Sequence, residues 1–243
     1  RKHRVDAGGL AVDLGRVVGI AVVDPDAARL ALGLHPPAGA GVGGDAAQQV
    51  GAVVAGFERL LNTEMDVPLG TTTVELDTRV ATMRGTEAAI GNFVADAMRA
   101  RGHADVAIMN GGGIRAGKIY PAGTPVTRRD VLAELPFGNL LVVLAVKGSD
   151  LRAAIENGLS RLPATAGRFP HVSGMRVEYD PQKPVGSRVM SIEVGGAPLD
   201  PDRMYKVATN DFMARGGDGY TALTRNAPAV PPDDSPRLSN EVM

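Results

Sequence analysis

The chain has 243 residues, of which 44% are hydrophobic and 22% charged, a composition typical of a globular protein in water. Because 26 basic residues are balanced by 27 acidic ones, the sequence lacks the positive charge of nucleic-acid binders, which argues against a nucleic acid polymer as a partner. The lack of cysteine excludes disulfides and thiolate chemistry, and the apolar run at 140–146 is too short to cross a membrane.

The first quarter of the chain contains two predicted strands, a linker and a helix. A high density of β-branched residues predicts a strand at 16–24, and 29–34 is its expected partner strand. The Pro/Gly-rich stretch at 35–44 separates both from the helix. From 45 to about 65, apolar residues recur at spacings of three and four, which predicts that this helix is amphipathic.

Strands and helices alternate through the rest of the chain. We expect strands at 67–76, 105–110, 139–148, 171–180, 188–196 and 204–210, and helices at 86–100, 128–135 and 149–160. The predicted helix caps are Thr86, Thr127 and Ser149, and a hairpin turn is expected at 183–187. The Pro-rich tail at 226–243 is expected to be irregular. The predicted fold class is α/β, of the α+β type with mixed sheets and helices.

The glycine-rich stretch NGGGIRAG, at 110–117, comes directly after a predicted strand and matches the spacing G-x-G-x-x-A of dinucleotide-binding loops. That motif needs a helix to begin at once, whereas two prolines and a glycine come next here, so we reject this interpretation. A plain turn and a binding loop remain as equal alternatives. In a binding loop, Gly112 and Gly113 would let the backbone approach a ligand closely. Arg115 would bind a carboxylate, phosphate or ribose oxygen, and Asn110 would supply an amide contact.

Three of the five phenylalanines lie in glycine-bounded loops. Phe137 in ELPFGN either packs into the core or exposes one face to a flat ligand, whereas Phe169 in GRFPHVSG is expected to pack beneath its loop. Phe212, in NDFMARGGDGY, is the third. Since stacking accepts any planar ring, Phe137 and Phe212 could sandwich a base, while Asp218 could bind a sugar diol or cap local amides.

The sequence shows no recognisable catalytic pattern. None of the four histidines lies in an H-x-H or D-x-H sequence of the kind that binds catalytic metal ions. No G-x-S-x-G sequence marks a nucleophilic serine. We therefore predict no catalytic residue, no metal ligand and no cofactor in this chain, which has the features of a binding domain.

Between about residues 68 and 225 the chain carries five ordered motifs, TEAAIGNFVADAM, NGGGIR, LPFGN, GRFPHVSGMRVEYD and YKVATNDFMARGGDGY. In order and spacing they resemble the C-terminal domain of the secreted 5'-nucleotidases, a family that includes UDP-sugar hydrolases and 2',3'-cyclic nucleotide phosphodiesterases. Residues 5–30 also resemble the closing strands of the family's N-terminal metallophosphoesterase domain. The resemblance implies closing strands of that domain at 1–34, a linker and interdomain helix at 35–66, the substrate-binding domain at 67–225 and a tail at 226–243.

The resemblance implies a two-domain enzyme that hydrolyses nucleotide phosphate esters. Its N-terminal domain would hold two divalent metal ions and perform the hydrolysis, while this chain would bind the nucleotide or nucleoside and be inactive alone. By resemblance, the base stacks between Phe137 and Phe212, and Asp218 holds the ribose hydroxyls. Asn110 and Arg115 would contact the base and the sugar or phosphate.

The chain departs from the family pattern at two places. Ala88 and Ala89 stand where some members carry an arginine, and His171 stands where glutamine is frequent, a substitution that we expect to be structural. The family implies a secreted, periplasmic or cell-surface location. Its contacts with base and ribose would suit nucleoside monophosphates, UDP-sugars and cyclic nucleotides alike, so the sequence does not choose among these substrates. The alternative is a stand-alone, non-catalytic nucleotide-binding module. Motifs D-x-H, N-H and G-H-x-H encoded upstream of Arg1 would favour the enzyme.

Overall fold

The structure, a computed structural model, describes residues 3–4, 52, 54–56, 58–59, 62–225 and 236–239. The predicted strands at 16–24 and 29–34 lie outside the described residues. Every described residue between 52 and 65 is helical, as the spacing of the apolar residues predicts.

Apart from the first strand and the helical residues between 52 and 65, the strands and helices lie beyond residue 67 and alternate much as the sequence predicts. The strands are β1 (His3–Arg4), β2 (Pro68–Thr71), β3 (Leu76–Asp77), β4 (Val106–Asn110), β5 (Ile119–Tyr120), β6 (Pro125–Thr127), β7 (Leu141–Lys147), β8 (Pro170–Ser173), β9 (Met175–Tyr179), β10 (Val189–Val194), β11 (Ala197–Pro198) and β12 (Met204–Asn210). The helices are α1 (Val80–Met83), α2 (Ala89–Arg101), α3 (Arg128–Glu134), α4 (Gly148–Leu159) and α5 (Asp211–Ala214).

A mixed four-stranded sheet with the order β7-β12-β4-β8 carries the main core. Strands β4 and β12 are parallel neighbours, and the outer strands β7 and β8 run antiparallel to them. A second four-stranded sheet has the order β1-β9-β10-β11, and two smaller ladders pair β2 with β6 and β3 with β5. The described chain is therefore a mixed α/β domain, which confirms the predicted fold class.

Alternate residues of the central sheet face two different hydrophobic cores. Val106 and Ile108 of β4 lie in the core that contains α4 and the β9–β10 pair, whereas Ala107 and Met109 lie in the core that contains α2. Since both faces are covered, all five residues of β4 are buried. This explains why the strand is a continuous apolar run up to Asn110.

One of the three predicted helix caps is confirmed. The hydroxyl of Thr127 accepts a hydrogen bond from the N–H of Asp130, whose carboxylate accepts one from the Thr127 N–H, and together these bonds form a capping box for α3. The predictions for Thr86 and Ser149 are wrong. Helix α2 is preceded by Ala88 and α4 by Lys147, and neither residue makes a side-chain cap.

The predicted strand at 171–180 is in fact two strands in different sheets. Gly174, with φ of 72°, separates β8 in the central sheet from β9 in the second sheet. A Cβ at this position would lie 2.3 Å from the backbone oxygen of Asp105, so packing and conformation both require glycine. The predicted strand at 67–76 is also interrupted, between β2 and β3. The hairpin turn expected at 183–187 is confirmed by the antiparallel pairing of β9 with β10.

Candidate functional site

Four loops meet at one edge of the central sheet. Because β4 and β12 are parallel, the loops that come after them, at 111–118 and 211–220, leave from the same edge. Strands β7 and β8 run in the opposite direction and begin at that edge, so the loops before them, at 135–140 and 160–169, arrive there. These are the loops that carry the glycine-bounded motifs of the sequence.

A direct hydrogen bond joins two of the predicted site residues, Asn110 and Asp218. Asn110 ends β4 and is 2% exposed, and its Nδ2 donates to Oδ2 of Asp218 at 2.7 Å. Asp218 has the left-handed backbone conformation, with φ of 54°, which is costly for a residue other than glycine. Its carbonyl oxygen accepts from Nδ2 of Asn157 at 3.2 Å. The two hydrogen bonds hold the carboxylate of Asp218 in place at the sheet edge.

The triple glycine after β4 forms a tight 3-10 turn, and no helix begins directly after it. The lack of a helix at 114–118 confirms the prediction that none begins there. The N–H of Gly112 donates to the carbonyl of Gly167 at 2.7 Å, and a Cβ on Gly112 would lie 2.9 Å from Cα of Gly167. A Cβ on Gly113 would lie 2.4 Å from Cε of Met109. Packing against the backbone of Gly167 therefore requires glycine at 112, whereas at 113 an added Cβ would displace the end of the Met109 side chain. The contact of both glycines with a ligand remains a prediction.

Phe212 exposes 44% of its surface although it is a large apolar residue. Its ring packs on Gly217, where a Cβ would lie 2.5 Å from ring atoms Cε1 and Cζ. The turn that carries Phe212 is tied to the loop of Phe137, since the N–H of Asp211 donates to the carbonyl of Leu140 at 3.0 Å. The N–H of Leu140 in turn donates to Oδ1 of Asp211 at 2.9 Å. These bonds hold the two phenylalanine-bearing loops side by side.

Phe137 is 54% exposed, so the alternative in which it packs into the core is wrong. The guanidinium carbon of Arg115 lies 5.0 Å from the centre of the Phe137 ring, within the range of a cation–π contact. The N–H of Arg115 donates to the carbonyl of Glu134 at 2.9 Å. The carboxylate of Glu134 accepts from the N–H of Ala116 at 3.0 Å and from the hydroxyl of Tyr120 at 2.8 Å, and burial raises the pKa of this carboxyl.

A small pocket opens between the glycine turn and the Phe137 loop, with a volume of about 10 Å³. This volume is about that of one water molecule, so the pocket is too small to hold a planar ring. Its walls are formed by Met109, Gly113, Leu135, Phe137, Asn139 and Leu238.

The structure adds four residues that the sequence alone does not single out. Asn210, whose Nδ2 donates to Oδ1 of Asn110 at 3.0 Å, and Asn139, which lines the pocket, stand inside the motifs NDF and LPFGN. In these motifs the phenylalanines are the more conspicuous residues. Asn157 on α4 and Gly167 before β8 carry no local signal, because their role depends on contacts with Asp218 and Gly112 across the fold.

The described part of the chain holds neither a metal centre nor a membrane span. Among those residues, no group of three or more His, Asp or Glu side chains is arranged so that it could hold a metal ion. Within the same part of the chain, every helix is too short or too polar to span a membrane.

The described residues form a mixed α/β domain with a candidate site built from four loops, and comparisons with known proteins give its family. The family model described as "5'-nucleotidase, C-terminal domain" matches residues 68–225. The chain belongs to this family. This confirms the resemblance drawn from the five motifs.

Similar relatives include the trifunctional nucleotide phosphoesterase protein YfkN of Bacillus subtilis (strain 168), 36% identical over 177 residues, and the 5'-nucleotidase of Diplobatis ommata, 35% identical over 184 residues. The alignments cover 69% and 68% of this chain but only 12% and 32% of those relatives. The crystal structure of the 5'-nucleotidase precursor from Thermus thermophilus is similar with a TM-score of 0.69 and 37% identity, covering 79% of this chain and 38% of that one. The chain therefore spans well under half the length of each.

Proposed function

We propose that this chain is the nucleotide-recognition domain of a 5'-nucleotidase-type phosphohydrolase. The observation that carries the proposal is the hydrogen-bonded pair Asn110–Asp218, which lies among loops that also present two half-exposed phenylalanine rings. A nucleoside combines a flat apolar base with a polar diol, and this site combines aromatic faces with a carboxylate. The chemistry of the site and the family agree.

Each predicted residue has a task that its chemistry suits. Phe137 and Phe212 stack on the base, because their exposed faces offer apolar contact to any planar ring. Asp218 accepts hydrogen bonds from the ribose hydroxyls, and Asn110 donates to the base or the sugar. The fork of Arg115 donors suits a phosphate or ribose oxygen. Because Gly112 and Gly113 have no side chains, the ligand can approach the backbone closely at this edge of the sheet.

The whole enzyme is a further part of the proposal. An N-terminal metallophosphoesterase domain with two divalent metal ions would hydrolyse the nucleotide that this chain binds, with the domain boundaries given in the sequence analysis. The named relatives, of which this chain covers a minority, support that arrangement. One relative is named a snake venom 5'-nucleotidase, which supports a secreted, periplasmic or cell-surface location.

Titration with adenosine and AMP, followed by NMR, tests recognition by this chain. We expect shifts at the amides around Phe137, Phe212 and Asp218, and a loss of affinity of about tenfold in Phe212→Ala, since stacking on an aromatic side chain contributes about 1–3 kcal/mol. Met190→Ala is the matched control, because Met190 is 50% exposed on the second sheet, away from the site. Unchanged spectra at millimolar ligand would overturn the proposal.

Phosphate release tests the division of labour between the two domains. We expect AMP hydrolysis with Mn²⁺ or Zn²⁺ only when an N-terminal metallophosphoesterase domain is joined to this chain. Steady release of phosphate by this chain alone would contradict that division and would place a catalytic centre among its own residues.

A further inference from the structure

Asn210 connects the aromatic and the polar parts of the candidate site. It is the last residue of β12 and is fully buried. Its Oδ1 accepts from the N–H of Met213 at 2.8 Å, which caps the short helix that carries Phe212. Its Nδ2 donates to Oδ1 of Asn110 at 3.0 Å, and Nδ2 of Asn110 donates to Asp218 at 2.7 Å. One series of hydrogen bonds therefore runs from the α5 backbone to the Asp218 carboxylate.

The groups at both ends of this series of hydrogen bonds determine which atom donates and which accepts in each bond. A backbone N–H such as that of Met213 can only donate, and an ionised carboxylate such as that of Asp218 can only accept. Each asparagine amide between them has one oxygen and one NH₂ group, so each fits in a single orientation. Turning either amide around would place oxygen against oxygen or N–H against N–H, inside a buried region where such a mismatch is costly.

We propose that Asn210 is a positioning residue for nucleoside binding, which fixes the Asn110 amide with its NH₂ group toward Asp218 and the ligand. The hydrogen bond to Asp218 uses one of the two N–H groups of Asn110, and the other is the donor that Asn110 offers to a ligand. Because Asn210 also caps the helix of Phe212, it sets the ring and the polar pair in one geometry. The inference rests on the proposed function only where affinity is measured.

A simple helix cap is the competing explanation, and two substitutions separate it from the proposal. Asn210→Asp and Asn210→Ser both keep an oxygen that can accept from the N–H of Met213, since Asp and Ser are good N-cap residues. An ionised aspartate has no donor for Asn110. The single hydroxyl of serine is attached to Cβ, which is too short to cap Met213 and reach Asn110 together, so the donor to Asn110 is lost in this variant as well. If Asn210 acted only as a cap, both variants would bind nucleosides as the unsubstituted chain does.

The first measurement needs no ligand. In ¹H–¹⁵N spectra of the free protein, we expect Asn210→Asp to shift the side-chain amide signals of Asn110, while the backbone amide of Met213 stays near its original position because the cap persists. Gln182→Glu adds the same charge in the hairpin turn, where the residue is exposed, and serves as the control. Unmoved Asn110 side-chain signals in Asn210→Asp would overturn the proposed orientation.

The second measurement is adenosine affinity as a function of pH. At pH 8 we expect Asn210→Asp and Asn210→Ser to bind at least about tenfold more weakly than the unsubstituted chain, as loss of a buried polar partner implies. Burial raises the pKa of an introduced carboxyl, and a protonated aspartic acid has an O–H that can donate to Asn110 again. As pH falls to 5.5, Asn210→Asp should recover relative to the unsubstituted chain at the same pH, and Asn210→Ser should not.

The outcomes separate the two proposals. Equal affinity of all three proteins at pH 8 would overturn the role of Asn210 while leaving nucleoside recognition intact. Failure of the unsubstituted chain to bind adenosine would overturn the proposed function, and the ligand-free spectra would still decide the orientation of Asn110. Should Asn210→Asp fail to fold, Asn210→Ser carries both measurements, with loss of affinity and shifted Asn110 signals as the supporting result.

Discussion

At the scale of single residues, His171 illustrates a structural histidine whose titration weakens the fold. It is 1% exposed, its Nε2 lies 2.9 Å from the carbonyl oxygen of Met83, and its ring fills the space beside Gly91, where a Cβ would lie 2.2 Å from Cγ of the ring. Burial lowers its pKa from 6.5 to about 4. This environment supports the structural role expected for His171.

We predict that the free energy of unfolding falls as pH decreases from about 6.5 to about 4. In that window the unfolded chain binds a proton at His171 and the folded chain does not, so acid favours unfolding, by on the order of 3 kcal/mol in total. His171→Gln should remove this contribution, because glutamine is neutral and its amide can donate to the Met83 carbonyl. Urea unfolding of both proteins at pH 7.5, 6 and 5 measures this loss of stability. If the free energy of unfolding fell in parallel with pH in the two proteins, the prediction would be contradicted.

Gly217 gives a second prediction at this scale, because it supports the ring of Phe212. Gly217→Ala would place a methyl group 2.5 Å from two ring atoms, and the half-exposed ring would turn away. We expect adenosine affinity to fall by about three- to tenfold, in line with an aromatic contact of about 1 kcal/mol, and unfolding free energy to change by less than about 1 kcal/mol. Calorimetric titration measures the first and urea unfolding the second.

The control for Gly217→Ala is Gly70→Ala, since an added Cβ at Gly70 meets no atom within 4 Å. Both positions accept alanine without a left-handed backbone conformation. If the two variants bind adenosine equally well, the ring of Phe212 does not need its support from Gly217.

At the scale of elements, the three predicted caps show where local patterns succeed and fail. Thr86, Thr127 and Ser149 all precede apolar-periodic runs, but only Thr127 has an acidic residue three positions later, Asp130. Ala89 and Arg152 stand at the corresponding places after Thr86 and Ser149, so neither can complete a capping box. A hydroxyl alone does not define where a helix begins.

We predict that Thr127→Ala lowers the free energy of unfolding by about 1 kcal/mol, the usual cost of losing an N-cap side chain. The lost contacts are the 2.8 Å hydrogen bond from its hydroxyl to Asp130 and the bond from the Asp130 N–H at 3.3 Å. Thr127→Ser keeps the oxygen and should stay within about 0.5 kcal/mol of the unsubstituted chain. Equal destabilisation by the two substitutions would show that the methyl group, and not the cap, matters.

Strand boundaries depend on partners that the local sequence does not reveal. The strands at 105–110, 139–148 and 204–210 are predicted to within about two residues, because buried apolar runs of that length have few alternatives. The stretch at 171–180 is predicted as one strand, yet Gly174 divides it between two sheets. That division results from which strand each half pairs with, which is a property of the whole fold.

At the scale of the whole molecule, the candidate site could be predicted as a set of loops but not as a network. Phe137, Phe212, Asp218 and the glycine turn stand out because scarce rings and clustered glycines are visible in the sequence. Asn210 does not stand out, because its contact with Asn110 spans 100 residues and exists only once β12 lies parallel to β4. The hydrogen bonds that position a site are therefore the part that needs the structure.

Because the loops at 111–118, 135–140, 160–169 and 211–220 come from four strands of one sheet, a bound nucleoside should protect all of them together. Exchange of their amides requires local opening that disrupts the site, so adenosine at a hundred times its dissociation constant should slow exchange by up to about a hundredfold. Amides in the β9–β10 hairpin, which belongs to the second sheet, should exchange as before. Hydrogen exchange followed by mass spectrometry measures both. Protection confined to one loop would mean that the ligand contacts that loop alone and that the four-loop site does not act as a unit.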